Sequence, residues 1–366
     1  MSTPRLHLLG LPHTQLTEQY LSCAYSQKIV KFCKMMGKDY PITLYAGERV
    51  EVEGIEEHVE CVSEAERSSW FGDGFNTVTT PLRWDPAEPY WQRFAARAIP
   101  ALRARARTGD LLLVIGGNCQ QPISDAVPQL LPVEWGVGYE GIYTSFCAFE
   151  SYAWMHHVYG LRGIVNGRAF DQVIPNYFDA NDFLPARKPG REYLVFLGRV
   201  TQRKGPHVAG EIAKRLGMKL LIAGPGATQD ALGPVVGDAV TVTGDVRYVG
   251  EVNKAQRAEL LANATACIVP TLYNEPFGGV AIEALMSGCP VVASDWGAFT
   301  ETVTPNVGRR FRTLRQGVEA VEAVRDLDRE AIAADARARF SLEAVRPRFK
   351  AWFEQLSTLW GEGYYA

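Results

Sequence analysis

The sequence predicts an α/β protein made of two doubly wound parallel-sheet domains in tandem. Three observations carry that expectation. A strand, a helix and a second strand follow one another within the first 47 residues, which is how a doubly wound sheet opens. Leu111-Leu112-Leu113-Val114-Ile115 is apolar throughout, as strands covered on both faces are. A second alternation of strands and helices begins at Tyr193, and 366 residues suffice for two domains of the usual ~100–200 residues.

The elements follow in order. Arg5 to Gly10 reads as the first strand and Leu11 to Gln15 as the loop after it. From about Thr17 to Met36 a helix is expected, because Ile29, Val30, Phe32, Cys33 and Met36 share one face and Lys28, Lys31, Lys34 and Lys38 the other. Ile42 to Gly47 is the second strand, and Val52 to Pro89 reads as irregular. Tyr90 to Arg107 suits a helix interrupted at Pro100. The apolar strand at Leu111 ends in the tight turn Gly116-Gly117-Asn118, and Leu130 to Glu134 is a further short strand before a Gly- and aromatic-rich loop over Trp135–Tyr143. Phe149 to His157 is rich in rings and suits helix core. A short polar linker with Pro185 and Pro189 leads to Arg191. Beyond it lie strands at Tyr193–Leu197, Lys219–Ala223, Val240–Thr243, Ala266–Val269 and Pro290–Ser294. Helices lie between them at about His207–Leu216, Asn253–Ala262 and Gly279–Ser287, and closing helices end in Phe340–Trp360.

Composition narrows the function classes. Hydrophobic residues make up 47% and charged residues 22%, which excludes a disordered chain, a collagen and a long coiled coil. The net charge of −3 gives no global excess for holding a polyanion. No apolar run approaches the roughly 18–20 residues of a membrane span, and the start MSTPRLHLLGLPHTQ lacks the pattern of a secretory signal. The seven cysteines, Cys23, Cys33, Cys61, Cys119, Cys147, Cys267 and Cys289, are scattered without a C-x-x-C pair. Reduced thiols in a cytoplasmic protein are therefore expected, and no metal site.

Two stretches carry chemistry. In Glu275-Pro276-Phe277-Gly278-Gly279-Val280-Ala281-Ile282-Glu283 a glycine pair opens a helix. Its bare backbone N–H groups and the positive end of the helix dipole favour a phosphate. Glu275 and Glu283 stand eight residues apart, able to accept hydrogen bonds from sugar and ribose hydroxyls. In Gly198-Arg199-Val200-Thr201-Gln202-Arg203-Lys204-Gly205, directly after an apolar strand, Arg199 and Lys204 suit a diphosphate.

Together with Leu221-Ile222-Ala223-Gly224-Pro225-Gly226 and Val249-Gly250-Glu251, these motifs resemble, in order and spacing over about Tyr193–Val303, a retaining glycosyltransferase of family 4. Ile174-Pro175-Asn176-Tyr177-Phe178-Asp179 resembles the segment leading into that family's second domain. The resemblance implies the GT-B architecture, two facing Rossmann-like domains with the active site in the cleft. It implies an acceptor domain over residues 1–180 and a donor domain over 181–344, with the last helix, about 345–366, packing back on the first. It further implies that Arg199 and Lys204 hold the diphosphate of a nucleoside-diphosphate sugar and that Glu283 binds the ribose. Glu275, with the backbone of Phe277, Gly278 and Gly279, would hold the donor sugar. Tyr248 and Val249 would lie near the nucleobase. No cofactor is expected beyond this donor.

The first domain matches weakly. Where the family often places a histidine after a strand, this sequence has Gly116-Gly117-Asn118-Cys119-Gln120-Gln121. The candidate catalytic residues there, beside Glu275, are His13, Asn118 and Glu134, each near a strand end; a solvated loop histidine is the plain alternative for His13. Lys28, Lys31, Lys34 and Lys38, and a second cluster of Arg93, Arg97, Arg103, Arg105 and Arg107, suit a solvated face, an anionic membrane surface or a polyanion, unless acids near Glu48–Glu60 neutralise them. The expected reaction is sugar transfer to a glycan, a lipid or another hydroxyl. A hydroxylated base in DNA as acceptor, a nucleotide-sugar epimerase and a non-catalytic nucleotide-sugar binder are the alternatives.

Overall fold

In the computed structural model, which describes residues 3–74, 80–184, 186 and 193–361, the chain divides into two units. Unit one comprises Met1–Glu150, Val158–Tyr177 and Val345–Ala366, and unit two comprises Ser151–His157 and Phe178–Ala344.

Unit one is built on seven strands: β1 (Leu6–Leu9), β2 (Ile42–Gly47), β3 (Glu57–Val62), β4 (Leu111–Val114), β5 (Leu131–Val137), β6 (Cys147–Phe149) and β7 (Gln172–Val173). They form one sheet in the order β3-β2-β1-β4-β5-β6-β7, all pairs parallel. Every residue of β1, β2 and β4 is buried, because helices cover both faces of the central strands. Those helices include α1 (Ala24–Met36), α2 (Glu64–Phe71), α3 (Pro89–Arg103) and α4 (Gln121–Asp125), while α5 (Tyr152–Arg162) has its first residues, to His157, in unit two.

Several expectations for this unit need correction. The first helix begins at Ala24, not Thr17, because Cys23 is extended and Glu18–Tyr20 forms a separate 3₁₀ turn. The region from Val52 to Pro89 is not irregular throughout. It holds β3 and α2, the latter closed by a capping box in which Ser63 and Glu66 satisfy each other's backbone. The mixed polarity of β3 hid it, since β3 is the sheet edge and half-exposed. Helix α3 runs through Pro100 and stops at Arg103. Strand β5 continues into the expected loop as far as Val137, with Trp135 fully buried.

Unit two repeats the plan with strands β8 (Tyr193–Leu197), β9 (Lys219–Ala223), β10 (Ala227–Gln229), β11 (Val235–Gly237), β12 (Val240–Val242), β13 (Val246–Gly250), β14 (Ala266–Val269), β15 (Val291–Ser294) and β16 (Gly308–Phe311). Six of them form a parallel sheet in the order β13-β9-β8-β14-β15-β16. The strand expected at Val240–Thr243 is not in that sheet. It pairs antiparallel with β11 in a separate three-stranded sheet, β10-β11-β12, whose three-residue strands are too short to show periodicity. Helices α6 (Pro206–Leu216), α7 (Lys254–Asn263), α8 (Gly279–Met286), α9 (Phe299–Thr302), α10 (Leu314–Val324) and α11 (Arg329–Phe340) cover the sheet, and α12 (Leu342–Gly361) follows after a break at the extended Ser341. Phe340 therefore ends one helix rather than starting the last. Pro185, Pro189 and Arg191 of the expected linker lie outside the described residues.

In both units the strand order reverses beside the first strand, between β1 and β4 and between β8 and β14. Loops leaving the carboxyl ends of those two strands diverge there and open a crevice, the usual place for a ligand on such a sheet.

Candidate functional site

The crevice of unit two is formed by the loops after β8 and β14. The first loop passes from Gly198 through a 3₁₀ turn, Gln202–Lys204, to Gly205. Gly205 has φ +74°, and a Cβ there would sit 2.1 Å from the Pro270 carbonyl oxygen; only glycine lets this loop close on the start of the second one. Arg203 is held by the same approach, since its carbonyl accepts the Leu272 N–H at 2.8 Å.

Three side chains then meet. Lys204 Nζ donates to Glu275 Oε2 at 2.8 Å and to the Tyr273 hydroxyl at 2.7 Å. The Arg203 guanidinium lies over the Tyr273 ring, 3.8 Å from its centroid. Burial, and then the Glu275 carboxylate, raise the Tyr273 hydroxyl far above its ordinary value, while Arg203 and Arg199 pull the other way. Tyr273 is therefore neutral and acts as a fixed hydrogen-bonding post. Glu275 is 9% exposed and balanced by Lys204. Arg199 is exposed and extends from the same loop. Sequence reasoning missed Tyr273 and Arg203, although both stand inside or beside the motifs it used.

Helix α8 opens at the far side of this cluster. Its N-cap, Gly278, has φ +77°, and a Cβ there would lie 2.3 Å from the Phe299 ring. The Phe277 side chain is core, 2% exposed and stacked on Phe178 with centroids 6.5 Å apart; its backbone alone remains to face a ligand with Gly278 and Gly279. The Ser151 hydroxyl fixes this turn by donating to the Pro276 carbonyl at 2.7 Å. One turn into α8, buried Glu283 is paired with Arg257 of α7 at 3.0 Å. Arg257 carries no motif spacing, so only the fold reveals it. Tyr248 is pinned twice, by its N–H on Gln229 Oε1 at 2.7 Å and by its hydroxyl on the Gly224 carbonyl at 2.7 Å. Val249 follows at a bulge, where the β13–β9 register shifts between Tyr248 and Gly250.

Unit one treats its candidates differently. Glu134 is fully buried. Its carboxylate accepts the Tyr143 and Thr144 N–H groups at 2.9 Å each, the Thr144 hydroxyl at 3.0 Å and the Tyr139 hydroxyl at 3.1 Å. Burial raises its pKa in spite of these donors. Glu134 thus anchors the loop after β5 through these bonds. His13 is not a solvated loop residue. It is buried beside Phe71 and 3.9 Å from Cys23 Sγ, and burial, aided by Arg67, lowers its pKa to about 3. Asn118 is exposed, with its N–H on the Gly141 carbonyl at 2.9 Å. The crevice of this unit is filled by Gln120, fully buried. Its amide donates to the Gly10 carbonyl at 2.7 Å and accepts from the N–H groups of Ile115 and Gly116 at 3.1 and 2.8 Å.

The basic clusters are largely paired. Lys28 is buried against Glu150 and donates to the Gly136 carbonyl at 3.0 Å. Lys34 faces Glu53, Arg93 faces Glu66, Arg97 faces Glu60, and Arg105 grips Glu57 with its Nε 2.9 Å from one carboxylate oxygen. Lys31 bonds Gln27 at 3.1 Å, and Lys38 is exposed. The acids of Glu53–Glu66 thereby pair with part of both clusters. Among the described residues, no helix is long and apolar enough to cross a membrane, and no group of three or more His, Cys, Asp or Glu is placed to hold a metal ion. All seven cysteines are buried free thiols.

Comparison with known proteins agrees with this geometry. Residues 178–333 match the family model of the glycosyl transferases group 1. A glycogen synthase from Mycobacterium tuberculosis is 34% identical over 198 residues, which cover 51% of this chain and 46% of that relative; the matched region is thus less than half of the curated relative's length. Among solved structures, AviGT4, a glycosyltransferase involved in avilamycin A biosynthesis, superposes with a TM-score of 0.69 at 18% identity, over 97% of this chain and 98% of that one. Anabaena HepE in complex with UDP and glucose superposes with a TM-score of 0.63 at 14% identity, over 97% and 100%. At these identities the two structures show the shared fold, GT-B.

Proposed function

We propose, for a chain that belongs through its second unit to the group 1 glycosyl transferases, that it moves a sugar from a nucleoside diphosphate to an acceptor hydroxyl with retention at the anomeric carbon. The observation that carries this reading is the Lys204–Glu275–Tyr273 cluster at the crevice of unit two. A cation held in place by a carboxylate and a phenol, flanked by Arg199 and Arg203 and by the start of α8, suits a diphosphate with a sugar attached.

In this reaction the bond between the sugar's anomeric carbon and the diphosphate oxygen breaks, and both bonding electrons leave with the oxygen. Lys204, Arg199 and the α8 backbone N–H groups stabilise the negative charge that develops on the leaving group. Glu275 holds hydroxyls of the sugar as it becomes oxocarbenium-like. The acceptor oxygen attacks on the face the diphosphate vacates, and its proton passes to the departing diphosphate. Glu283, steadied by Arg257, accepts from the ribose. These cations do what a divalent ion does in other nucleotide-sugar sites, so transfer is expected to persist in chelator. The complex of UDP and glucose in HepE, a protein of the same fold, supports a nucleotide-sugar donor.

A thermal-shift screen of nucleoside-diphosphate sugars tests the donor, since a ligand that binds only the folded state raises its melting temperature. With the donor known, NMR of the product reads the anomeric configuration. An inverted product overturns retention. Conversion of the donor with no acceptor present points to epimerisation instead, and loss of transfer in chelator overturns the metal-free reading.

A further inference from the structure

The three-stranded sheet β10-β11-β12 has no part in the reaction proposed above, yet it touches the loop after β8, which carries Arg199 and Lys204, and the edge strand β13. It leaves β9 directly after Gly224-Pro225-Gly226. At one end, Asp238 exchanges backbone hydrogen bonds with the loop after β8: its N–H donates to the Val200 carbonyl at 3.0 Å, and its carbonyl accepts the Gln202 N–H at 3.1 Å. At the other end the Gln229 side chain bonds the edge strand β13. Gln229 Nε2 donates to the Val246 carbonyl at 3.0 Å and to the Gly233 carbonyl at 2.8 Å, while Gln229 Oε1 accepts the Tyr248 N–H at 2.7 Å.

The pattern has a physical logic. Strand β13 is the outermost of its sheet, so its outer backbone groups have no strand to pair with. Val246 and Tyr248, two apart, turn those groups the same way. Gln229 meets both, one with a donor and one with its acceptor, as a neighbouring strand would. Both of its amide hydrogens are used. The next residue, Val249, is where the β13–β9 register shifts, and Gly250 closes the bulge by accepting the Gly224 N–H at 2.9 Å. A bulge turns one residue out of the ladder and re-aims it. Here its direction depends on Tyr248, and Tyr248 is fixed through its backbone by Gln229 and through its ring by Gly224.

We propose that Gln229 is a positioning residue for the nucleoside half of the donor, acting through the Val249 bulge. This rests on the reading that unit two binds a nucleoside diphosphate with its base beside Tyr248 and Val249, as the family resemblance implies. A leucine of similar size cannot replace Gln229, because the Val246 carbonyl and the Tyr248 N–H would both lose their partner. Glutamate cannot either, having no hydrogen for Val246 or Gly233. Asparagine keeps the amide on a stem one methylene shorter.

Calorimetric titration of the full chain with UDP, GDP and ADP, for wild type, Gln229→Leu and Gln229→Asn, tests this. Wild type is expected to prefer one of the three. In Gln229→Leu the preferred one binds about tenfold more weakly and the others by less than threefold, so that base selectivity collapses. Gln229→Asn shows a smaller loss of the same kind, and it supplies the comparison if Gln229→Leu fails to give a cooperative melting transition. Unchanged affinities, an equal loss for all three diphosphates, or a wild type that binds all three equally overturns the proposal. A wild type that binds none of them removes the donor reading itself, and this inference with it; that outcome is distinct from the others because it appears before any substitution.

Discussion

Two crevices arise from one strand order in this chain, and they are used in opposite ways. In unit one the reversal between β1 and β4 is plugged by a neutral amide, Gln120, whose three hydrogen bonds close the gap between Gly10 and Gly116. In unit two the reversal between β8 and β14 is lined by Lys204, Arg203, Tyr273 and Glu275. Two of the buried carboxylates make the same contrast. Glu134 is satisfied by neutral donors of its own loop, and burial pushes it toward its protonated form. Glu275 is paired with a cation, Lys204. A shared topology supplies a place for chemistry; the side chains that fill it decide between a site and a strut.

The largest expected effect separates the two at once. Lys204→Ala removes the cation that the proposed reaction sets against the diphosphate and leaves Glu275 without its partner. Donor affinity by calorimetry is expected to fall by about 3 kcal/mol, roughly a hundredfold, and the melting temperature falls with it, because buried Glu275 loses its cation. If affinity survives and only stability falls, Lys204 is a strut like Gln120 and the contrast fails.

Gln120→Leu makes the reciprocal test. It leaves the buried Gly10 carbonyl and the N–H groups of Ile115 and Gly116 without partners, at an expected cost of about 2 kcal/mol in urea-induced unfolding. Donor affinity in the folded fraction should stay at the wild-type value. Lost donor binding at unchanged stability would show that the plug belongs to the working machinery after all.

The contrast also explains what the sequence could reveal. Lys204, Glu275, Gly278 and Glu283 stand within two short stretches, a turn and the helix start beside it. Such local spacing survives in the sequence. So do the fully buried strands β1, β4 and β8, which are plain apolar runs. What stayed hidden is long-range. Arg257 reaches Glu283 from another helix, and Gln229 reaches β13 across a hairpin; neither pairing leaves a period or a spacing. Glu134 is the complementary case. A carboxylate near a strand end looks the same in sequence whether it faces a ligand or the four hydrogen bonds that Tyr139, Tyr143 and Thr144 donate to it. Strand β3 was lost because an edge strand with Glu57, His58 and Glu60 does not alternate cleanly.

The smallest expected effect concerns His13, the only imidazole in the loop after β1. A catalytic base must take up a proton near working pH, whereas a strut need not. Burial lowers the folded-state pKa to about 3, so the unfolded chain binds a proton near its ordinary value of about 6.5 that the folded chain refuses. The unfolded state therefore carries more protons between these two values, and stability must rise with pH across that window. The contribution is fully present above about pH 6.5 and is lost progressively as the pH falls toward 3, by about 1 kcal/mol per unit for this one group. His7, also lowered by burial, adds a slope of the same sign, so the test is a difference between two proteins. Urea unfolding of wild type and His13→Gln at pH 7.5, 6.5 and 5.5 should give a shallower dependence in the variant, with the gap confined to the two lower values. Parallel curves would mean that the folded protein protonates His13 as readily as the unfolded chain does. The imidazole would then be open to solvent and available as a base, and the crevice of unit one would have to be counted as a second site.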